Sequence, residues 1–224
     1  MSLLDQYGAL LLQGLAFTLL LAIASWILAL AISLILTLAR MVDKKPVGIA
    51  VVAFIEYQRN VPPLVHIFLW YFGVSSVMAE PVQDWVNANN GELIFAVVAI
   101  GLYYGAYFAE DIRSGLRSIP KGQQEAARAL GLGYAGAMCR VILPQALRIS
   151  IPPLVSNTVM LVKTTSLAMV IGVMELTYTT KEIANSTFRV FETYGVSTVL
   201  YVILALSLLF FGGWLSQRVR IKGR

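Results

Sequence analysis

The chain predicts an all-α membrane protein, organised as one transmembrane domain over 1–224. It is 58% hydrophobic and only 13% charged, against about 45–50% and about 25% in soluble globular domains. Five apolar stretches each reach the ~20 residues a helix needs to cross the hydrocarbon core, and the basic residues gather in alternate loops between them. A soluble core of this length could not bury so much apolar surface, so lipid is its natural solvent.

The first stretch, 14–39, lies in a run with no charge from Gln6 to Ala39. That run is far longer than the ~7–15 residues of a signal h-region, and no basic n-region precedes it, so an uncleaved first span is expected. The second, 47–73, is the longest and the least clean, because it carries Glu56, Arg59, Asn60, Pro62 and Pro63. Its length lets it span while broken or tilted. The third, fourth and fifth cover 93–112, 151–174 and 195–215.

Orientation follows from the cations. Arg40, Lys44 and Lys45 follow the first span; Arg113, Arg117, Lys121, Arg128, Arg140 and Arg148 separate the third from the fourth; Arg218, Arg220, Lys222 and Arg224 follow the fifth. The other side holds only Lys181 and Arg189, while Arg59 and Lys163 fall within spans. Basic loops stay cytoplasmic, so the N-terminus is expected outside and the C-terminus inside. The outer loop 78–92 carries Glu80, Asp84 and Glu92 without Lys or Arg. Trp70 and Tyr71 suit the outer interface, and Trp214 the inner one. This cation pattern speaks for topology and against nucleic-acid binding.

Little conventional site chemistry is available. One cysteine, Cys139, precludes an internal disulfide or a CxxC motif, and one histidine, His66, leaves no histidine cluster for zinc. No Gly-x4-Gly-Lys-Ser/Thr loop is present to cradle nucleotide phosphates. No cofactor or metal, and no enzymatic activity, is expected of this chain.

The long polar connection 113–150 has its own helical grammar. Pro120 and Gly122 punctuate the end of the third span. Residues 123–130 are good helix formers, with Ala126, Ala127 and Leu130 expected on one small apolar face. Gly131 and Gly133 break that helix, and a second short helix over 134–143 is expected to end at Pro144. Two short helices with a glycine elbow make a compact knob standing off the bilayer. It could dock a partner, with Glu125 as acceptor, or lie on anionic lipid through its arginines.

Glu125-Ala126-Ala127-x3-Gly131-x9-Val141-x-Leu143-Pro144 resembles the coupling region of ATP-binding-cassette (ABC) importer permeases, with valine where the family has isoleucine. Arg59-Asn60-Val61-Pro62-Pro63, Ala109-Glu110-Asp111-Ile112-Arg113, Ser118-Ile119-Pro120-Lys121-Gly122-Gln123 and Lys163-Thr164-Thr165-Ser166-Leu167 are similar to the polar amino acid (histidine/glutamate/glutamine-type) branch. The resemblance implies a type I permease fold of five spans with a cytoplasmic coupling loop over 113–150. It also implies a second permease subunit, identical or homologous, two ABC ATPase subunits that bind the ATP and magnesium, and a periplasmic solute-binding protein. The docking positions it implies are Glu125, Ala126, Ala127, Gly131 and Pro144.

Charges within a span cost roughly 2.5–3.5 kcal/mol each at the bilayer centre, so they face a cavity or a partner. Glu56 and Arg59, three apart, could neutralise each other. Alternatively Arg59 and Asn60, at the Pro-Pro interruption, line a solute path with Glu56. Lys163-Thr164-Thr165-Ser166 form a second polar step, in the fourth span, where they either make a helix–helix hydrogen-bond cluster or line the solute path, with Lys163 and Thr164 as the candidate path residues. His66 lies seven residues from Arg59, hence on roughly the same helical face, where helix packing is expected before ligand binding. Glu110 and Asp111 are expected to pair with Arg113 or a neighbour, and the Gly101-x3-Gly105 stretch to serve close helix packing. Cys139 reads as a small apolar residue of the second short helix.

The expected activity is ATP-driven import of a polar or charged amino acid, or a derivative such as an opine, across a bacterial inner membrane. An ion-coupled secondary transporter would more often show inverted repeats, and none is visible. A non-transporting scaffold would have no use for the costly charges in the second and fourth spans.

Overall fold

The structure, a computed structural model, describes residues 3–41 and 44–219. Among them there are helices and turns and no strand. Four helical stretches are long and apolar enough to cross a membrane: Leu3–Met41, Gly91–Arg117, Tyr134–Ile171 and Val190–Val219. The basic residues Arg220, Lys222 and Arg224 lie outside the described residues.

The first helix, α1, runs over Leu3–Met41, beginning well ahead of the expected residue 14. No proline interrupts it and Asp5 stands in its first turn, where a carboxylate suits the helix dipole. Its 39 residues reach about 58 Å, well beyond the ~30 Å hydrocarbon core.

The second stretch is not one helix. It consists of α2, Lys45–Asn60, and α3, Pro63–Phe68, which continues as a π-turn over Leu69–Val74. Val61 and Pro62 are extended between them, with φ/ψ of −98°/135° and −57°/141°. Two consecutive prolines explain the break. Each lacks an N–H, and a residue before proline is pushed out of the α region.

The short α4, Glu80–Ala88, leads into α5, Gly91–Arg117, the central post. A Cβ on Gly101 would stand 2.7 Å from Leu28 Cδ2, and one on Gly105 2.8 Å from Ile32 Cγ2. The Gly101/Gly105 pair is therefore a close-packing device. Around it lies the main core, with Leu21, Ala29, Ile67, Ile100, Phe108 and Leu161 fully or almost fully buried.

Beyond α5 come α6, Lys121–Ala129, and the single turn α7, Tyr134–Ala137. The chain does not stop at Pro144 as expected. It passes through a π-turn, Met138–Ile142, straight into α8, Leu143–Thr164. The Leu143 N–H donates five residues back, to the Met138 carbonyl. This wider turn accommodates a proline that has no N–H to give and whose ring would crowd a normal α-turn. A 3₁₀ segment, Thr165–Ile171, finishes this long helical stretch, and Gly172 at φ +92° ends it.

Last come α9, Leu176–Thr187, and α10, Val190–Val219. Among the described glycines the closest approach is at the α5–α8 crossing. A Cβ at Gly115 would lie 2.1 Å from Ser150 Oγ and 2.6 Å from the Ala146 carbonyl oxygen. Ser150 Oγ also donates to the Asp111 carbonyl at 3.1 Å. Gly115→Leu should therefore force the helices apart and destabilise the protein by about 2–3 kcal/mol. Gly213→Ala, with nothing within 4 Å of the added carbon, should be near neutral. Thermal unfolding of the two detergent-purified variants checks this contrast.

Candidate functional site

Two regions carry the sequence-predicted residues, a polar face among the spans and the α6–α7 knob. The knob is built on a well-formed helix stop. Gly131 takes φ +82°, its N–H donates to the Arg128 carbonyl at 2.9 Å, and Leu132 N–H donates to the Ala127 carbonyl at 3.1 Å. That pair of bonds is a Schellman motif, which needs a left-handed residue and so favours glycine at 131. Gln145 Nε2 donates to Gln123 Oε1 at 3.2 Å and to the Val141 carbonyl at 2.9 Å, tying α6 to the root of α8.

The expected apolar face of α6 is split. Ala127 is buried against the protein, whereas Ala126 is exposed and Leu130 is 83% exposed. Ala127 and Leu130 lie on adjacent sides of the helix, and the glycine stop directs Leu130 outward. Glu125, Ala126, Leu130, Gly131 and Pro144 thus form the outward surface. Cys139 is exposed in the π-turn, not a packed apolar residue.

The polar face gathers the end of α2, the middle of α5 and the end of α8. Glu56, Arg59 and Asn60 are exposed on the single chain. The expected Glu56–Arg59 neutralisation is not made. Asn60 Nδ2 donates to Glu56 Oε2 at 3.0 Å and to its carbonyl at 2.8 Å, while the Arg59 guanidinium sits 5.2 Å from the centre of the Tyr107 ring. Asn60 claims the carboxylate because it lies one helical turn away, at i+4, on the same edge as the helix ends. Tyr107 OH donates to the Arg59 carbonyl at 3.4 Å and meets Tyr103 OH at 3.2 Å.

On α8, Thr164 Oγ1 is 2.7 Å from Tyr104 OH. Lys163 is exposed, its Nζ lying 4.0 Å from Met160 Sδ. Deeper, Asn157 Nδ2 donates to Asp111 Oδ2 at 2.7 Å. Glu110 pairs with Arg113 as expected, its Oε1 receiving both Arg40, at 2.7 Å, and Arg113, at 3.2 Å, while the neighbour that Asp111 takes is an amide. The difference is geometric: consecutive helical residues point about 100° apart, so Glu110 faces α1 while Asp111 faces α8.

His66 does not share the face of Arg59. The break at Val61-Pro62 resets the helical phase, and His66 is 1% exposed, with its ring edge-on to Tyr57 at 5.1 Å and to Tyr103 at 5.6 Å. It packs behind the polar face.

Sequence reasoning missed a third cluster. Glu175 caps α9, accepting from Thr177 N–H at 2.9 Å and Tyr178 N–H at 2.8 Å, and Tyr201 OH of α10 donates to it at 2.8 Å. Leu176 N–H donates to Thr18 Oγ1 of α1 at 3.1 Å. The carboxylate thus ties α9 to α10, and the neighbouring Leu176 N–H ties α9 to α1. The signal was an acidic residue three positions after the Gly172 stop and just before a Thr/Tyr-rich helix, a helix-start pattern. Among the described residues there is no group of three or more His, Cys, Asp or Glu side chains placed to hold a metal.

A bundle of long apolar helices with an uncovered polar face on the single chain and an exposed helical knob has the form of a membrane transport component. The chain belongs to the family described as binding-protein-dependent transport system inner membrane component, matched over residues 29–221. It is 35% identical to a Bacillus subtilis protein named probable glutamine ABC transporter permease protein GlnM, over 86% of this chain and 87% of that one. It is 27% identical to the Escherichia coli glutamate/aspartate import permease protein GltJ, over 94% and 87%. In structure it is similar to a chain of an amino acid ABC transporter crystallised with histidines, with a TM-score of 0.86 and 30% identity over 97% of this chain and 100% of that chain. The fold is also that of the methionine transporter MetNI in an inward-facing form, with a TM-score of 0.76 at 20% identity over 99% and 100%.

Burial pushes the Glu175 carboxyl above the ordinary glutamate range, more than its hydrogen-bond donors pull it down. A carboxyl raised on folding contributes stability that is fully present below its unfolded pKa and lost as pH rises through its folded one. The thermal midpoint of the purified protein should accordingly fall as pH climbs above the usual carboxylate range. Glu175→Gln should flatten that portion of the pH profile, and an unchanged slope would refute the assignment.

Proposed function

We propose that this chain is the permease subunit of an ATP-driven importer for a polar or charged amino acid, or an amino-acid derivative such as an opine, in a bacterial inner membrane. The observation that carries the reading is the pairing of an uncovered polar face with an outward-facing knob. Glu56, Arg59, Asn60 and Lys163 lie at the surface of the single chain, at positions within the spans. Lipid cannot solvate them, so they face water or another protein. A second permease subunit, identical or homologous, closes over this face and makes it one wall of the solute path.

In that path Arg59 and Lys163 attract the solute's carboxylate, and Glu56 and Asn60 receive its ammonium. Thr164 and the tyrosines of α5 add neutral hydrogen-bonding groups, and His66 supports Tyr103 from behind. The broken α2–α3 stretch counts as the second of five spans, with the N-terminus outside and the C-terminus inside. The knob then stands in the cytoplasm, where each of two ABC ATPase subunits, which bind ATP and magnesium, grips one permease. A periplasmic solute-binding protein delivers the solute on the opposite side.

The mechanical part falls to the knob. ATP-driven closure of the ATPase pair moves α6, and the Gln123–Gln145 bond and the continuous run from Tyr134 to Ile171 pass that movement to the end of α8 beside Lys163. A rigid helix transmits displacement where a loop would absorb it. Support for the amino acid class comes from the names of the relatives and from the mixed charges of the polar face.

Two variants test this in proteoliposomes carrying the whole importer. Glu125→Lys should abolish ATP-dependent uptake while leaving membrane insertion intact, and unchanged uptake would remove the docking role. Arg59→Gln should lower uptake roughly tenfold or more, the scale of one lost charge-assisted contact, with basal ATPase activity preserved. Wild-type transport in that variant would take Arg59 off the path.

A further inference from the structure

The face of α8 opposite the polar face carries a different feature, an apolar groove of about 300 Å³ between α1, α8 and α10. Ile23 and Trp26 of α1, Val155 of α8, and Leu208 and Phe211 of α10 line it. The polar atoms along it are satisfied internally. Trp26 Nε1 donates to Thr158 Oγ1 at 3.0 Å, and Thr158 Oγ1 donates to the Leu154 carbonyl at 2.8 Å. Nothing in the groove asks for a polar solute.

Its direction identifies the occupant. At about 100° per residue, Met160 lies about 200° and Lys163 about 140° around α8 from Thr158. If the polar face turns toward protein and water, this groove turns toward the bilayer. Its floor is set by the α8–α10 crossing, where a Cβ on Gly212 would lie 2.3 Å from Val155 Cγ1.

The inner end of the groove is cationic. Arg148 stands seven residues from Val155 on the same face of α8, about 10.5 Å along the axis, and Arg218 six residues beyond Gly212, about 9 Å along α10. The two helices run antiparallel, so both guanidiniums arrive at nearly the same depth. Both are exposed. Arg218 stacks 5.0 Å over Trp214, an interfacial pairing, and neither arginine makes an ion pair among the described residues.

We propose that this groove is a binding site for one anionic phospholipid, with an acyl chain between α1, α8 and α10 and its phosphate between Arg148 and Arg218. The inference rests on the membrane topology proposed above but not on the solute or on ATP coupling. A lipid here braces the α8–α10 crossing, the same α8 that connects the knob with Lys163.

The test is native mass spectrometry of the intact importer released from nanodiscs of phosphatidylglycerol or of phosphatidylcholine. Wild type should retain phosphatidylglycerol in preference to phosphatidylcholine. The double variant Arg148→Gln/Arg218→Gln should reduce that retention about tenfold or more, since each basic residue at a membrane surface contributes measurably to anionic-lipid affinity. Ile23→Trp, whose added ring fills an exposed part of the groove, should reduce retention with both arginines intact. Equal retention of the two lipids, or retention unaffected by either variant, would overturn the proposal. Displacement of the lipid by millimolar inorganic phosphate would overturn it too, because the arginines alone would then be the site. A disulfide between two permease chains through Ile23→Cys would assign the groove to protein instead. Uptake is read separately, so a failed lipid test leaves the transport reading standing.

Discussion

The hydrocarbon interior offers no water to a backbone or side-chain polar group, and the architecture follows from that constraint. Each unsatisfied group costs several kcal/mol there, so the chain is helical throughout its apolar stretches. Where the helix breaks, at Val61-Pro62, the neighbourhood gathers charge, amide and tyrosine side chains. Arg59 over Tyr107, Asn60 on Glu56 and Tyr104 on Thr164 are local answers to the same demand. They satisfy part of each group and leave the rest turned outward on one face. A single chain cannot complete that face, which is the physical reason for expecting a partner and a wet path.

Close packing supplies the rigidity against which such a face can work. Glycines at 101, 105, 115 and 212 bring α1 and α8 against α5, and α10 against α8, to distances at which an added carbon would collide. At one end of the bundle the Glu175 cluster joins α1, α9 and α10 through hydrogen bonds, and at the other Glu110 joins Arg40 to Arg113. Helices in lipid gain little from hydrophobic association, so contacts of these two kinds hold the bundle together. The broken second stretch, by contrast, has two short helices and an extended link, and it is the natural place for movement.

Much of this was legible in the sequence because composition and spacing act locally. Apolar length located four crossings, Gly101-x3-Gly105 announced a tight contact, and Gly131 marked the end of α6. What escaped reading depends on geometry that one-dimensional spacing does not carry. Pro144 looked like a terminator, yet a π-turn carries the helix past it. His66 looked aligned with Arg59 until the proline break shifted the phase. Glu56 found Asn60 and Asp111 found Asn157 because neutral amides lay on the right edge, whereas the nearest arginines did not. The Glu175 cluster was passed over because Tyr201, which donates to Glu175, and Thr18, which receives the Leu176 N–H, are far away in sequence.

The claim that binds these parts is that Glu56, Arg59, Asn60 and Lys163 look into water or protein while the opposite side of α8 looks into lipid. Single cysteines at Asn60, Lys163 and Ile203, each in a Cys139→Ser background and the assembled importer, can be challenged with a charged, membrane-impermeant maleimide. The account predicts labelling at positions 60 and 163 and none at 203, a residue 56% exposed on α10. Labelling at 203 with protection at both 60 and 163 would contradict it.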